Sequence, residues 1–405
     1  MRILRAIILT LLVLGGIVNF LDRSALSIAN TTMRADLHLS ATQIGALLSI
    51  FSLAYGLAQV PAGWLLDRAG PKLILSVGMF LWSLAQMATG VVSGFAALVA
   101  TRIGLGAGEA PFLPGGFKVI HDWYETRERG VPTGILNAST TLGQAFAPPL
   151  LTLLLLGWGW RSMFISIGLL GVIVAVAWYP VYRNPDKHAI QPSQSQSISL
   201  AAWRDLFRHR TIWGMMLGFS GVNYTAWLYL AWLPGYLEAA HHLSLRRTGW
   251  LAAIPFLMGS AGMLISGFVA DALVRRGWDA LKSRKLLIVA GMICSAACTF
   301  AVTRASSSSA AVAVIGLALF FIHFAGTSCW GLVQVAAPAH LVGSAGALQN
   351  FCSFLFASVA PVLTGWFLDR THSFRIALLI CAGVTFLGAM AYLWLVQKSI
   401  QATAG

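Results

Sequence analysis

Apolar residues run along this chain in long blocks, each closed by a short polar segment. A helix that crosses the hydrocarbon core of a bilayer needs about 20 predominantly apolar residues in a row, and the blocks meet that length. They predict spans at about 6–29, 42–66, 72–93, 95–118, 132–156 and 161–182, and again at about 211–236, 247–270, 285–304, 310–335, 342–367 and 374–397. The longest polar stretch, 183–210, separates the two sets, and its QPSQSQS core reads as a flexible linker. The expected domains are a six-helix bundle over 1–182, a cytoplasmic linker over 183–210 and a second six-helix bundle over 211–405. The expected fold class is an all-α membrane protein of twelve transmembrane helices in two pseudo-symmetric bundles.

The two sets read as copies of each other. Gly63 and Asp67, after the second span, recur 204 positions later as Gly267 and Asp271 after the eighth. Gly130, Asn137 and Pro148 around the fifth span recur 213 positions later as Gly343, Asn350 and Pro361 around the eleventh. Several matches at nearly one offset, each in the equivalent span, argue for duplication. Parallel repeats of six helices with a site near the midplane are the architecture of secondary transporters.

Composition agrees with the pattern and removes the soluble alternatives. Of 405 residues, 58% are hydrophobic and 10% charged, where ordinary globular chains carry about 45–50% and about 25%. Too few polar segments remain in which to build a soluble enzyme or a nucleic-acid-binding domain. The net charge of +14 reflects the Lys and Arg that hold loops on the cytoplasmic side rather than a nucleic-acid partner. With the N-terminus in the cytoplasm, 18 of the 27 basic residues fall on that side, among them Arg2, Arg5, Arg68, Lys72, Lys118, Arg129, Arg208, Arg275, Arg276 and Lys285. Seven fall outside: Arg34, Arg161, Arg246, Arg247, Arg304, Arg370 and Arg375. Both termini are therefore expected in the cytoplasm, as an even number of spans requires. The N-terminus, MRILRAII, has the basic flank of a signal peptide, but the apolar run continues past it without a cleavage site and reads as the first span.

The five cysteines, Cys294, Cys298, Cys329, Cys352 and Cys381, lie inside apolar stretches and form no disulfide framework. Cys294 and Cys298 share a helical face with no His or carboxylate beside them, so they read as small packing residues and no metal is expected.

Charges inside the bilayer are the informative residues, because each costs roughly 2.5–3.5 kcal/mol on insertion scales. Four sit at intramembrane positions: Asp22 and Arg23 in the first span, Arg102 and Glu109 in the fourth. Arg102 and Glu109 are two helical turns apart and share a face, about 10 Å apart along the axis. Counted from the outer ends of the spans, Asp22 lies roughly 12 Å deep, between Arg102 at about 8–10 Å and Glu109 at about 18–20 Å. Two acids and two bases at overlapping depth can neutralise one another. Stability alone gives little reason to keep them, since replacing buried pairs by apolar residues is often neutral or stabilising.

GWLLDRAGPK, between the second and third spans, resembles the loop signature of the major facilitator superfamily, with Gly63, Asp67, Arg68 and Gly70 in place and a partial repeat at Asp271. Its physical reading is a tight Gly turn whose Asp67 accepts from the N-terminus of a neighbouring helix and latches the cytoplasmic side. NFLDRSALSIA, FSLAYGLAQVPAGWLLDRAG, RIGLGAGEAPFLPGG and WYETRERG together resemble the anion:cation symporter family of that superfamily. Bacterial sugar-acid and organic-acid proton symporters and animal phosphate, sialate and glutamate carriers belong to it. The similarity covers essentially the whole chain. It implies a bacterial inner-membrane importer of a small organic anion driven by protons, with no other cofactor and a monomer as the working unit. It also implies that Asp22 and Glu109 take up protons, that Arg23 binds the substrate carboxylate and that Arg102 is the partner Asp22 releases on protonation. Where sugar-acid members often carry Tyr two residues before the Asp, this chain has Phe20, so a hydroxyl that could bind a polyol is missing.

Other polar residues at mid-span depth are candidates to line the cavity: Asn19, Tyr55, Gln144, Asn223, Tyr224, Asn350 and His323, with Trp227 able to stack on a ring. An interhelical hydrogen bond explains any one of them equally well. GLGAGEAP looks like a nucleotide loop but lies within a span with no preceding strand, and close helix packing by small residues explains it better. An efflux antiporter for an organic anion or drug on the same fold is the alternative transport reading. An intramembrane enzyme built on Ser328 or His323 lacks any recognisable nucleophile motif.

Overall fold

A computed structural model describes residues 2–125, 128–183, 206–338 and 341–400. The expected linker lies, over 184–205, outside the described residues. The described residues are helical, with no strand among them. The chain forms two compact units, Met1–Ser193 with Ser244–Ala253, and Gln194–Leu243 with Ile254–Gly405.

The helices are α1 (Arg2–Ile28), α2 (Asn30–Leu37), α3 (Ala41–Thr89), α4 (Phe95–Glu109), α5 (Phe112–Trp123), α6 (Gly130–Val181), α7 (Arg210–His241), α8 (Leu245–Arg275), α9 (Ala280–Val302), α10 (Ser308–Ala336), α11 (Val342–Ala357), α12 (Val359–Thr371) and α13 (Arg375–Leu395). Among the described residues, eight helical stretches are long and apolar enough to cross a membrane. Two of them exceed any bilayer. α3 has 49 residues and α6 has 52, each more than about 70 Å at 1.5 Å per residue. Each is interrupted by one glycine with non-helical backbone, Gly70 (φ 77°, ψ 162°) in α3 and Gly159 (φ 76°, ψ 166°) in α6. A positive φ costs glycine nothing and other residues a good deal. Split there, α3 and α6 each cover two of the apolar blocks read from the sequence.

Two expected spans are broken instead of continuous. The block at 95–118 divides after Glu109, where Pro111 and Pro114 have no N–H to give to the turn before them. The block at 342–367 divides at Ser358, three residues before Pro361, and the Ser358 hydroxyl donates to the Leu355 carbonyl at 2.7 Å.

Capping follows ordinary chemistry. Ser40 closes a capping box with Gln43 at the start of α3, and Asp279 and Ser307 accept from the first turns of α9 and α10. The C-caps carry a trace of the duplication. His38 (φ 52°) ends α2 and His242 (φ 51°) ends α7, and they stand 204 positions apart, the spacing that relates Asp67 to Asp271.

In the first unit α1 packs on α6, and α4 lies against both halves of α3. Glycines set that approach. A Cβ on Gly106 would lie 2.6 Å from the Phe51 carbonyl and 2.9 Å from the Tyr55 amide; one on Gly108 would lie 2.8 Å from the Trp82 amide. These are backbone atoms and cannot swing aside. Gly106→Ala is expected to lower stability by about 1–3 kcal/mol through overpacking, read as a lower melting temperature in detergent; an unchanged melting temperature would show that α4 can back away. In the second unit α7 packs on α11 and α13, and α9 on α10 and α13. Both units turn large apolar side chains outward, such as Val60, Trp64, Phe146, Trp158, Phe268 and Leu387, the reverse of a water-soluble surface.

Candidate functional site

The first unit buries all four intramembrane charges. Asn19, Asp22 and Arg23 occupy one stretch of α1, Glu109 meets Arg23 from the end of α4, and Arg102 lies two turns earlier on α4. Arg23 Nε donates to Glu109 Oε2 at 2.8 Å, with the two side chains 6% and 0% exposed. Three rings enclose the guanidinium: its carbon lies 4.5 Å from the Tyr55 centroid, 5.1 Å from Phe20 and 5.6 Å from Phe51. Aromatic faces stabilise a cation without competing for its N–H groups. Phe20 is thus one wall of this cage. Glu109 is also the last residue of α4, so the helix break places its carboxyl where the backbone changes course.

Asp22 is wholly buried, and neither carboxyl oxygen accepts a hydrogen bond among the described residues. The indole N–H of Trp82 lies near it without completing one, and the Asn19 amide stands in the same relation to Glu109. The expected Asp22–Arg102 pair is not formed. Arg102 turns instead toward the second half of α3, where Nη2 donates to Thr89 Oγ1 at 2.6 Å and to Gln86 Oε1 at 3.3 Å, and Phe164 of α6 lies 5.5 Å from its guanidinium carbon. The physical reason is that α4 packs against α3, so two neutral acceptors stand closer to Arg102 than α1 does. Gln144, on α6, is half-buried.

Around the loop signature, the turn itself is made by Gly70, whereas Gly63 sits within the helix with open space beside it. Asp67 Oδ1 accepts from Lys118 Nζ of α5 at 2.8 Å, rather than from a helix N-terminus as expected, because the long lysine reaches the exposed carboxylate first. Arg68 lies over the Trp64 ring at 5.4 Å.

The second unit assembles a separate polar group. Asn223 Nδ2 of α7 donates to Ser353 Oγ of α11 at 2.6 Å, and that hydroxyl donates to the Asn350 carbonyl at 2.7 Å. Trp227 packs edge-on against Phe354 at 5.8 Å, and Tyr224 is buried on the same helix. His323 Nδ1 is hydrogen-bonded to the Leu319 carbonyl at 2.9 Å, within its own helix. Asp271 is exposed.

A model of the Major Facilitator Superfamily matches residues 12–361. The chain belongs to that superfamily. Among its relatives, the "Probable L-galactonate transporter" of Escherichia coli (strain K12) is 55% identical over 402 residues, covering 96% of this chain and 89% of that one. The "Hexuronate transporter" of Bacillus subtilis (strain 168) is 30% identical and covers 98% and 96%. A solved structure of a bacterial homolog of the human lysosomal transporter Spinster, inward-facing and occupied, superposes with a TM-score of 0.84 at 18% identity, covering 99% of each chain. At that identity the likeness is one of fold, and it is the superfamily's fold.

The buried charges of this superfamily member are conspicuous in the sequence, and the neutral residues that partner them are not. Gln86, Thr89 and Trp82 stand beside Arg102 and Asp22 in a span with no charge beyond Lys72 at its start, and Ser353 joins Asn223 to the Asn350 carbonyl. The signal that could have found Gln86 and Thr89 was present: an intramembrane arginine needs acceptors, and the adjoining span offers a Gln and a Thr one turn apart.

Proposed function

We propose that this protein is a proton-coupled importer of sugar acids, aldonates and hexuronates foremost, working by alternating access. The observation that carries the reading is the Arg23–Glu109 pair, 2.8 Å long and buried. A substrate carboxylate offers the guanidinium what Glu109 now offers it, so the two anions compete for one cation. Protonating Glu109 removes its claim and frees a planar fork suited to a carboxylate. Import then needs no other coupling species than protons, taken up at Glu109 and Asp22.

The substrate class follows from what the relatives are named for: an acid group on a polyhydroxylated skeleton. The carboxylate is assigned to Arg23 and the hydroxyls to Asn19, Tyr55, Gln144, Asn223, Tyr224 and Asn350, with Trp227 against the apolar sugar face and His323 and Arg102 as supporting groups. Asp67, Arg68, Gly70 and Asp271 are assigned to the cytoplasmic latch. The carrier is assigned to a bacterial inner membrane as a monomer, both termini in the cytoplasm, following the distribution of Lys and Arg.

Proteoliposomes containing the protein should accumulate labelled L-galactonate when the outside is made acidic, and a protonophore should abolish the accumulation. Equal accumulation with and without the gradient would overturn the coupling, and uptake of no aldonate or uronate would overturn the substrate class. In detergent, galactonate at about 100 times its dissociation constant should add about 2.7 kcal/mol of stability, seen as a raised melting temperature; dicarboxylates and aromatic acids lacking hydroxyls should add less.

A further inference from the structure

Arg102 is 2% exposed, and Gln86 and Thr89 are fully buried. The Thr89 hydroxyl has one hydrogen, with the Ala85 carbonyl at 3.0 Å and Thr101 Oγ1 at 3.1 Å as its acceptors. Its lone pairs are thereby left to the arginine. Both Gln86 and Thr89 are neutral, so Arg102 can leave them without stranding a charge. Asp22, the anion whose charge Arg102 would compensate, is completely buried and accepts no hydrogen bond among the described residues. Such surroundings suit a neutral carboxylic acid and penalise a carboxylate.

We propose that Thr89 and Gln86 form a resting site for Arg102, occupied while Asp22 is protonated and vacated when Asp22 ionises and draws the guanidinium toward α1. Thr89 and Gln86 are in this sense positioning residues that set how readily Asp22 is protonated, and the inference rests on Asp22 being a proton site in the importer proposed above. The other charged and titratable groups around this switch are Arg23 on α1, Glu109 on α4 and Tyr55 on the first half of α3. On α6 the nearest is Arg161, which is occupied by Asp36 of α2 and by the Gly90 and Val92 carbonyls. None of these contacts the two acceptors.

The sign follows from mass action. Removing an acceptor destabilises the state with Arg102 at rest and leaves the Arg102–Asp22 state untouched, so protonation of Asp22 becomes harder. Thr89→Val keeps the shape and loses the acceptor, whereas Thr89→Ser keeps the acceptor. In proteoliposomes the pH profile of galactonate uptake should move toward acid by about one unit for Thr89→Val, tenfold in proton concentration and about 1.4 kcal/mol. Gln86→Leu should move it the same way, and Thr89→Ser should restore the wild-type profile. Lower rates with an unmoved profile would mean a merely structural role and would overturn the proposal.

A second measurement does not depend on transport. At a pH alkaline enough to ionise Asp22, Arg102 leaves its resting site in the wild-type chain but has no reason to leave it in an Asp22→Asn background, so Thr89→Val should lower the melting temperature more in that background. Additive effects in that four-protein comparison would overturn the resting site even if uptake behaves as expected. If wild-type protein shows no proton-driven uptake, the importer reading fails, and the thermal comparison still decides this one.

Discussion

Arg23→Lys should reduce galactonate uptake and binding at least about 100-fold, or about 2.8 kcal/mol, while the protein remains folded. The lysine keeps the positive charge, so Glu109 is not stranded. What disappears is geometry. The guanidinium presents a planar set of donors, one of them 2.8 Å from Glu109 Oε2, and its face lies against Tyr55, Phe20 and Phe51. An ammonium is a compact, strongly hydrated point charge that neither stacks in such a cage nor grips a carboxylate with two parallel bonds. Arg23→Ala is the harsher control. It leaves Glu109 buried and uncompensated, which typically costs about 3–5 kcal/mol, so it should lower the melting temperature as well as uptake. Wild-type affinity for galactonate in folded Arg23→Lys protein would remove Arg23 from the binding site.

The charged centre was legible in the sequence because the bilayer makes charge expensive. Asp22, Arg23, Arg102 and Glu109 stand out in apolar spans, and helical geometry alone puts the acid of α1 at a depth between the two charges of α4. Which acid meets which base was not legible. Arg23 takes Glu109, and Arg102 goes to Gln86 and Thr89, because α4 is pressed onto α3 through Gly106 and Gly108. That choice depends on tertiary packing, and neutral acceptors carry no insertion penalty by which a reader could pick them out. The fold behaved similarly. The apolar blocks marked the spans, but the break after Glu109 depends on two prolines whose effect on a helix is a matter of context. The loop signature announced a glycine turn, and the glycine that makes it is Gly70, at φ 77° and immediately before Pro71.

Glu109→Gln should uncouple transport from the pH gradient while sparing exchange. In the wild-type chain Glu109 and a substrate carboxylate are rivals for Arg23. The carboxyl must be neutral for substrate to bind and ionised for it to be expelled, and each full cycle therefore carries at least one proton with the anion. A glutamine keeps the size of the side chain and still has an oxygen that can accept from Arg23 Nε, but it has no charge and cannot release a proton. A neutral acceptor lacks the carboxylate's charge and bidentate grip and so holds the guanidinium less strongly, and galactonate should bind Glu109→Gln at least as tightly as wild type. Loaded carrier should still reorient, and preloaded vesicles should still swap labelled for unlabelled galactonate. Accumulation against a concentration gradient under an imposed pH difference should fall to the level set by exchange alone. The empty carrier should also return slowly, because nothing now neutralises Arg23 after the anion leaves, and a buried unpaired guanidinium is costly. The comparison to make is counterflow against gradient-driven uptake in the same vesicle preparation. If Glu109→Gln vesicles concentrate galactonate under the gradient as well as wild type does, the proton that drives transport is carried elsewhere, and Asp22, with both oxygens buried among apolar helices and Arg102 within reach, becomes the group on which coupling must rest.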